Sequence, residues 1–326
     1  MKNKVSIAIP TYNRPGYLKQ ALQSILGQTF QDFSVYVFDN ASEEPIEKLV
    51  EELGDPRIHF VGNDKNIGSS GNINRILNYP FESKYLVIFH DDDAMHPNML
   101  KLETAFLDAH KNMVFVVSDL QHVSGDAIFQ WKDFREENIS SATYRNQCEF
   151  VCAVMRWVRY AFNSAMYRVE YLKNDRMNFE RFSDFADLAF LVEVSQRGSS
   201  GFLGAPLVNY RIHPQQDSKD LKDSYRDGAI ELLRFYKEIV FASGSREVQE
   251  LFKKYAPNFL LRTYANINKG IGGFTQFIKK CREDNIVQYY DFRRIDTRGA
   301  VSLASIVLGN KKVIDAARWA KNLLQS

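Results

Sequence analysis

Residues 85–97 read YLVIFHDDDAMHP, and the fold turns on this stretch. Tyr85, Leu86, Val87, Ile88 and Phe89 run without alternation into Asp91, Asp92 and Asp93. A continuous apolar run suits a strand covered on both faces, as in a mostly parallel sheet. The carboxylates then stand just past the carboxyl end of a central strand, the edge at which open α/β sheets bind ligands. Adjacent like charges disfavour one another's ionisation. A hard divalent cation relieves this repulsion, because carboxylate oxygens are its preferred ligands. Held by one or two carboxylates, it keeps positions for phosphate oxygens. The competing reading is a solvated acidic turn before a helix that starts near Pro97.

Outward from this strand, apolar runs alternate with helical patterns. VSIAIPTYN is a first strand that ends at Pro10, and YLKQALQSILGQ carries Leu18, Leu22, Ile25 and Leu26 at helical spacing. FSVYVFDNAS is a second strand ending at Asp39, IEKLVEEL a helix, and IHFVGND a third strand. SSGNINRILNY reads as a helix entered through Gly68 and Gly71. MLKLETAFLDAH is a helix and MVFVVSDL a fifth strand. Five strands interleaved with helices imply a doubly wound α/β sheet. Residues 121–180 are less regular and rich in aromatics and Arg. FADLAFLVEVSQRG is then a helix over about 185–196, and FLGAPLVNYRIHP a further strand reaching Arg211 and His213. The rest is helical in pattern, so the expected organisation is a sheet domain over 1–215 and a helical C-terminal region over 216–326.

The chain has 326 residues, 45% hydrophobic and 25% charged, enough to bury a large core. Three irregularly spaced cysteines make neither a disulfide framework nor a zinc set and suggest reduced thiols in a cytoplasmic protein. No secretory signal is visible, and no stretch reaches the length of a membrane span. Net charge is +2 but unevenly spread. Residues 251–326 hold 14 Lys+Arg against 5 Asp+Glu, a balance of +9, and the remaining 28 basic and 35 acidic residues leave −7. The basic third suits either an anionic partner, such as a membrane surface met peripherally, or a solvated helical surface. Apolar stripes on its helices could pair subunits in a homo-oligomer. No nucleic-acid-binding pattern is present.

The first loop, PTYNRPG, lacks both the dinucleotide fingerprint and the P-loop pattern. A metal would have to neutralise bound phosphates instead. His90 and His96 flank the acids, and His90 reads as a packing residue. Trp131, Trp157 and Tyr160 lie in the irregular segment and suit either sugar stacking or core packing.

Taken in order, VSIAIPTYNRPGYLKQALQSILGQTF, VFDNAS, NIGSSGNINRIL, FHDDD and YRIH resemble glycosyltransferase family 2, of the GT-A fold. The resemblance covers about residues 4–215. It implies a doubly wound mixed sheet and inverting transfer of a sugar from a UDP- or dTDP-sugar. The acceptor would be a hydroxyl of a surface polysaccharide or lipid-linked glycan. By the same resemblance Pro10, Thr11, Tyr12 and Arg14 line the base and ribose pocket, Asp39 accepts a hydrogen bond from the base, and Asn66 and Gly68 border the nucleotide. Asp93 takes the role of ligand to Mn²⁺ or Mg²⁺. Asp91 and Asp92 address ribose, sugar or metal-bound water, with Asp91 a further candidate ligand. His213 would be a third ligand or a phosphate donor, unless it is structural, and Arg211 would contact acceptor or phosphate. The resemblance gives the catalytic base as Asp187, with Ala186 where relatives carry Glu. Asp184 competes for that role, and capping of the helix is the alternative for Asp187. Two other readings stay open: a nucleotidyltransferase, for which PTYNRPG is a poor triphosphate loop, and a catalytically inactive sugar-binding scaffold.

Overall fold

In the computed structural model the described residues are 3–156, 162–172, 175–213 and 223–267, with Lys279, Cys281 and Glu283. They fall into two compact units. The first lies within 1–147, 159–177 and 190–217, and the second within 148–158, 178–189 and 218–326. The expected boundary at 216, Trp157, Tyr160 and most of the basic C-terminal third lie outside the described residues.

The first unit is built on a mixed sheet of nine strands: β1 (Val5–Thr11), β2 (Phe33–Asp39), β3 (Ile58–Gly62), β4 (Tyr85–Ile88), β5 (Ala94–Met95), β6 (Met113–Ser124), β7 (Ser141–Tyr144), β8 (Ala165–Arg168) and β9 (Ser199–Ile212). Their order is β3-β2-β1-β4-β8-β6-β9-β5, with β7 also on β9. β3, β2, β1 and β4 run parallel, connected through α1 (Pro15–Leu26), α2 (Ile46–Leu53) and α3 (Gly68–Leu77). β8 enters antiparallel between β4 and β6.

Tyr85, Leu86, Val87, Ile88 and Phe89 are all buried, as a strand with neighbours on both faces requires. Odd-numbered residues of the parallel strands (Val5, Ile7, Ile9, Val35, Val37, Val87) share one cluster with Leu18, Leu22 and Ile25 of α1. Leu100 and Leu107 of α4 (Met99–Ala109) complete that face. Ala8, Phe38, Leu86 and Ile88 point the other way, where the Phe38 and Tyr79 rings meet edge to face at 5.2 Å. Pro15 opens α1, where its fixed φ suits a first helical turn, and Gly54 closes α2 in the left-handed conformation.

At the amino end of β4 the sheet is tied to α4 by polar groups. Arg168, 4% exposed, donates from Nε to the Met113 carbonyl at 2.8 Å and from Nη2 to the Leu107 carbonyl at 2.6 Å. It thereby joins the His110 amide as a donor to the Leu107 carbonyl at the end of α4. Asp108 accepts from Lys4 Nζ at 2.6 Å, and from Lys84 Nζ and the Tyr85 hydroxyl at 2.7 Å each.

The second unit holds α6 (Phe179–Phe182), the start of α7 (Ala186–Val194), α8 (Asp223–Ala242) and α9 (Arg246–Ile267). Most of α5 (Gln147–Met155) also belongs to it. The Phe182 and Phe235 rings meet at a tilt with centroids 5.5 Å apart, and those of Phe185 and Tyr225 likewise at 4.6 Å. Gly228 lets α8 approach closely, since a Cβ there would lie 2.4 Å from the Phe182 carbonyl oxygen. No helix among the described residues is long and apolar enough to cross a membrane.

Burial pushes the Asp108 carboxyl up, but its three donors outweigh burial and hold it well below the usual carboxylate range. Its stabilisation is therefore complete above the unfolded value near pH 3.9 and is lost as pH falls below that. Asp108 and Lys4 are about a third exposed and Lys84 about half, so Asp108→Asn should cost about 1 kcal/mol at neutral pH. The loss of urea midpoint between pH 5 and pH 3 should be smaller in the variant than in the wild type.

Candidate functional site

The parallel strands deliver their carboxyl ends to one edge. β1 brings Thr11, β2 brings Asp39, and the turn after β4 carries Asp91, Asp92 and Asp93. The loop after β1 turns through Asn13 at φ 51°, a left-handed conformation that Asn tolerates. Asn13 is fixed there because its amide donates to Ser42 Oγ at 2.8 Å while its side chain accepts from the Glu43 amide at 2.8 Å. The Asp39 carboxylate in turn accepts from the Ser42 amide at 3.1 Å. Two loops are thus locked together, with Asp39 buried at their root and Tyr12, 40% exposed, on their rim.

The carboxylates have distinct neighbours. Asp91 Oδ2 accepts from Thr11 Oγ1 at 2.8 Å. Arg14 Nη1 lies 3.5 Å from Asp91 Oδ1 and 3.3 Å from Asp92 Oδ2. His213 Nε2 meets Asp92 Oδ2 at 3.0 Å, and its ring lies 4.6 Å from that of Tyr17. Asp93 is 1% exposed: its Oδ1 accepts from the Arg211 amide at 2.8 Å and its Oδ2 from the Asn163 side chain. His90 Nδ1 lies 3.4 Å from the same Oδ2.

Burial and the Asp92 charge push the Asp91 carboxyl up to about 7, against the pull of Arg14 and Thr11. Burial also raises Asp93. For His90 burial opposes the charged form, but the hydrogen bond to Asp93 and the fields of all three acids lift it to about 9. Crowded, desolvated carboxylates with raised proton affinity mark a place where a cation is favoured. Among the described residues, one group can hold a metal ion with at least three side chains: His90, Asp92 and Asp93, whose ligand atoms all lie within 4.8 Å of one another. Two carboxylates and an imidazole suit a divalent cation.

Of the residues singled out in the sequence, Thr11, Arg14, Asp91, Asp92, Asp93, Arg211 and His213 meet in this cluster. Asp93 belongs to the three-ligand group. Asp91 is instead engaged by Thr11 and Arg14, and His213 by Asp92. His90, read as packing, offers a ligand atom; its place three residues before Asp93 was the available signal. The Arg211 guanidinium faces inward, donating to the Asp92 carbonyl at 2.7 Å, the Gly125 carbonyl at 3.2 Å and the Gln20 side chain. Trp131 packs on His96, ring to ring at 5.1 Å.

Pro10 precedes the first loop, and Asn66 and Gly68 border a network that the sequence did not reveal. Asn40, 3% exposed, accepts from Asn63 Nδ2 at 2.9 Å and from the Ile67 amide at 3.0 Å, and donates to Asn66 Oδ1 at 2.8 Å. Asn66 Oδ1 also accepts from the Gly68 amide at 2.8 Å, and Gly68 sits at φ 76°. Asn72 donates to the Phe38 carbonyl at 2.8 Å. In sequence the Asn residues of this network sit among many other polar and charged residues between β2 and α3, so nothing marks them out.

Asp187 lies in the second unit, in the first turn of α7, where its Oδ1 accepts from the Leu188 amide at 2.6 Å. A carboxylate is favoured at a helix N-terminus. Ala186 is 1% exposed, so the position where Glu was expected buries a methyl group. Asp184 is exposed in the short turn Ser183–Phe185.

A parallel sheet joined to antiparallel strands, with an acid cluster at its carboxyl edge, is the layout of the GT-A fold. The chain belongs to glycosyl transferase family 2, whose pattern matches residues 6–173. An uncharacterized glycosyltransferase of Methanocaldococcus jannaschii is 30% identical over 141 residues, which are 42% of this chain and 44% of that protein. The chain thus spans less than half of that relative's length. The GalNAc(5)-diNAcBac-PP-undecaprenol beta-1,3-glucosyltransferase of Campylobacter jejuni is 24% identical over 265 residues, 77% of this chain and 80% of that one. Residues 1–349 of S. aureus TarS in complex with UDP-GlcNAc superpose with a TM-score of 0.62 at 17% identity, covering 100% of this chain and 92% of that one. The Pyrobaculum calidifontis mannosyltransferase PcManGT with GDP-Man and Mn²⁺ gives 0.51 at 15% identity, over 94% and 86%. At such identities the likeness is one of fold.

Replacing Asn40 by Ala would leave the Ile67 amide and two Asn side chains short of a partner. Water can reach these groups, since Ile67 is 40% exposed, so the cost is that of lost hydrogen bonds, about 1 kcal/mol each. Asn40→Ala should therefore lower the urea midpoint and speed proteolytic cleavage within 63–68, while cleavage elsewhere keeps its rate.

Proposed function

We propose that the chain is an inverting glycosyltransferase that moves a sugar from a UDP- or dTDP-sugar to a hydroxyl of a surface polysaccharide or lipid-linked glycan, with Mn²⁺ or Mg²⁺. The observation that carries this reading is the convergence of three strand ends on a buried acid cluster with a three-atom ligand set. The donor class is supported by the UDP-GlcNAc complex of TarS. The acceptor class is supported by the name of the Campylobacter relative.

In this reading Asp39, buried and held by Ser42, accepts from an imide N–H of the base, and the exposed Tyr12 ring covers the base. The Asn40 network holds the loop bordering the nucleotide. His90, Asp92 and Asp93 would hold the dication, with Asp91 and His213 at its margin. When bound, it supplies positive charge beside the leaving diphosphate. Asp187 would take the acceptor hydroxyl proton, the step that inversion requires of a base facing away from the leaving group. The helical second unit and the basic C-terminal third would serve acceptor or membrane-surface contacts.

Release of UDP or dTDP from a panel of nucleotide sugars, with Mn²⁺ and a lipid-linked acceptor, tests the assignment. Asp93→Ala should abolish release, and Asp187→Asn should slow transfer by about 10²–10⁴-fold, the range for loss of a general base. Both variants should keep the wild-type circular dichroism spectrum. Full turnover in Asp187→Asn would move the base role to Asp184 or elsewhere.

A further inference from the structure

We propose that Arg14 is the resident counter-cation of the acid cluster, and that the donor's diphosphate must draw it away before the dication binds tightly. This rests on the donor-site reading above and adds to it the order and coupling of the two ligands.

A single nitrogen of Arg14 serves two carboxylates, 3.3 Å from Asp92 Oδ2 and 3.5 Å from Asp91 Oδ1. Asp92 also belongs to the three-ligand group with His90 and Asp93. A dication at that group and the guanidinium therefore share one carboxylate, and their like charges repel. The other guanidinium near the acids, that of Arg211, is 5% exposed and anchored on the Asp92 carbonyl, the Gly125 carbonyl and Gln20. It has no room to yield. The Arg14 side chain is 22% exposed and stands at the mouth of the first loop, between Asn13 and the first turn of α1.

A guanidinium favours two parallel bonds to a phosphate. An incoming diphosphate offers that geometry and at the same time lends oxygens to the cation. It adds ligands and removes a competing charge in one event. Metal and nucleotide must then bind with positive coupling, and the coupling must be reciprocal. Without nucleotide, Arg14 holds metal affinity down.

Titration of the full chain with Mn²⁺, with free ion followed by electron paramagnetic resonance, reads this directly in the presence and absence of UDP. In the wild type UDP should tighten Mn²⁺ binding about tenfold or more. Arg14→Gln should bind Mn²⁺ alone several-fold more tightly than the wild type, and the UDP effect should shrink. Arg14→Lys, which keeps the charge, should bind Mn²⁺ alone as the wild type does. Unchanged or weaker Mn²⁺ binding by Arg14→Gln overturns the proposal, as does tight binding by Arg14→Lys. Arg14→Met serves as a second neutral variant should Arg14→Gln fail to fold. If the wild type binds both ligands but Arg14→Gln behaves identically, the donor site stands and the role of Arg14 falls. If the wild type binds neither Mn²⁺ nor UDP, the donor-site reading itself falls.

Discussion

Three carboxylates at the tip of β4 lie largely out of water, and each must find donors. Asp91 takes Thr11 and Arg14, Asp92 takes Arg14 and His213, and Asp93 takes Asn163, His90 and the Arg211 amide. Those donors come from several separate parts of the chain, and the sheet order is what gathers them. Because β8 runs antiparallel to β4, with Val87 opposite Met166, the turn before β8 falls beside the end of β4. That turn holds Asn163. Because β9 runs antiparallel to β5, with Ala94 opposite Asn209, Arg211 arrives level with the acids. A sheet of parallel strands alone would bring neither donor.

The loops after β1 and β2 and the loop leading into α3 use a different device. Where a glycine-rich loop would offer backbone amides, this chain locks its loops with Asn, Asp and Ser side chains. Asn13 turns one loop and fastens the next, while Asn40 fastens the loop leading into α3. Such short side chains hydrogen-bond local backbone well, which is why they suit turns. On the proposed reading the arrangement would leave a donor's phosphates without an amide cradle, and their neutralisation would fall to a cation on the acid cluster.

How much of this was legible follows from range. The β4 strand, its flanking helices and the regular pattern of α8 and α9 were readable because periodicity is local. The acids were readable because they are adjacent in sequence. The insertion of β8 was not: AMYR is four residues long and ends in a charge, so nothing local marks a strand buried between β4 and β6. Asn163 reaches Asp93 across 70 positions, and no pattern announces such a contact. Arg211 was singled out by the YRIH block as an acceptor or phosphate contact, yet the pairing of β9 with β5 and β6 turns its guanidinium onto backbone carbonyls. The Asn network was missed because Asn reads as a turn residue wherever it falls.

Charge balance links these observations. Asp91, Asp92 and Asp93 face Arg14 and a His90 whose proton affinity is raised, so the cluster is close to neutral before any ligand arrives. A dication held by His90 needs that imidazole without its extra proton, and it would still face the Arg14 charge across Asp92. A diphosphate alone would set negative charge beside three acids. Each ligand therefore favours the other's arrival, and a buried site penalises unbalanced charge more than water would. The same burial that makes the carboxylates hard to ionise therefore strengthens the coupling between the two ligands, so that a diphosphate that draws Arg14 off the acids also tightens the dication's hold.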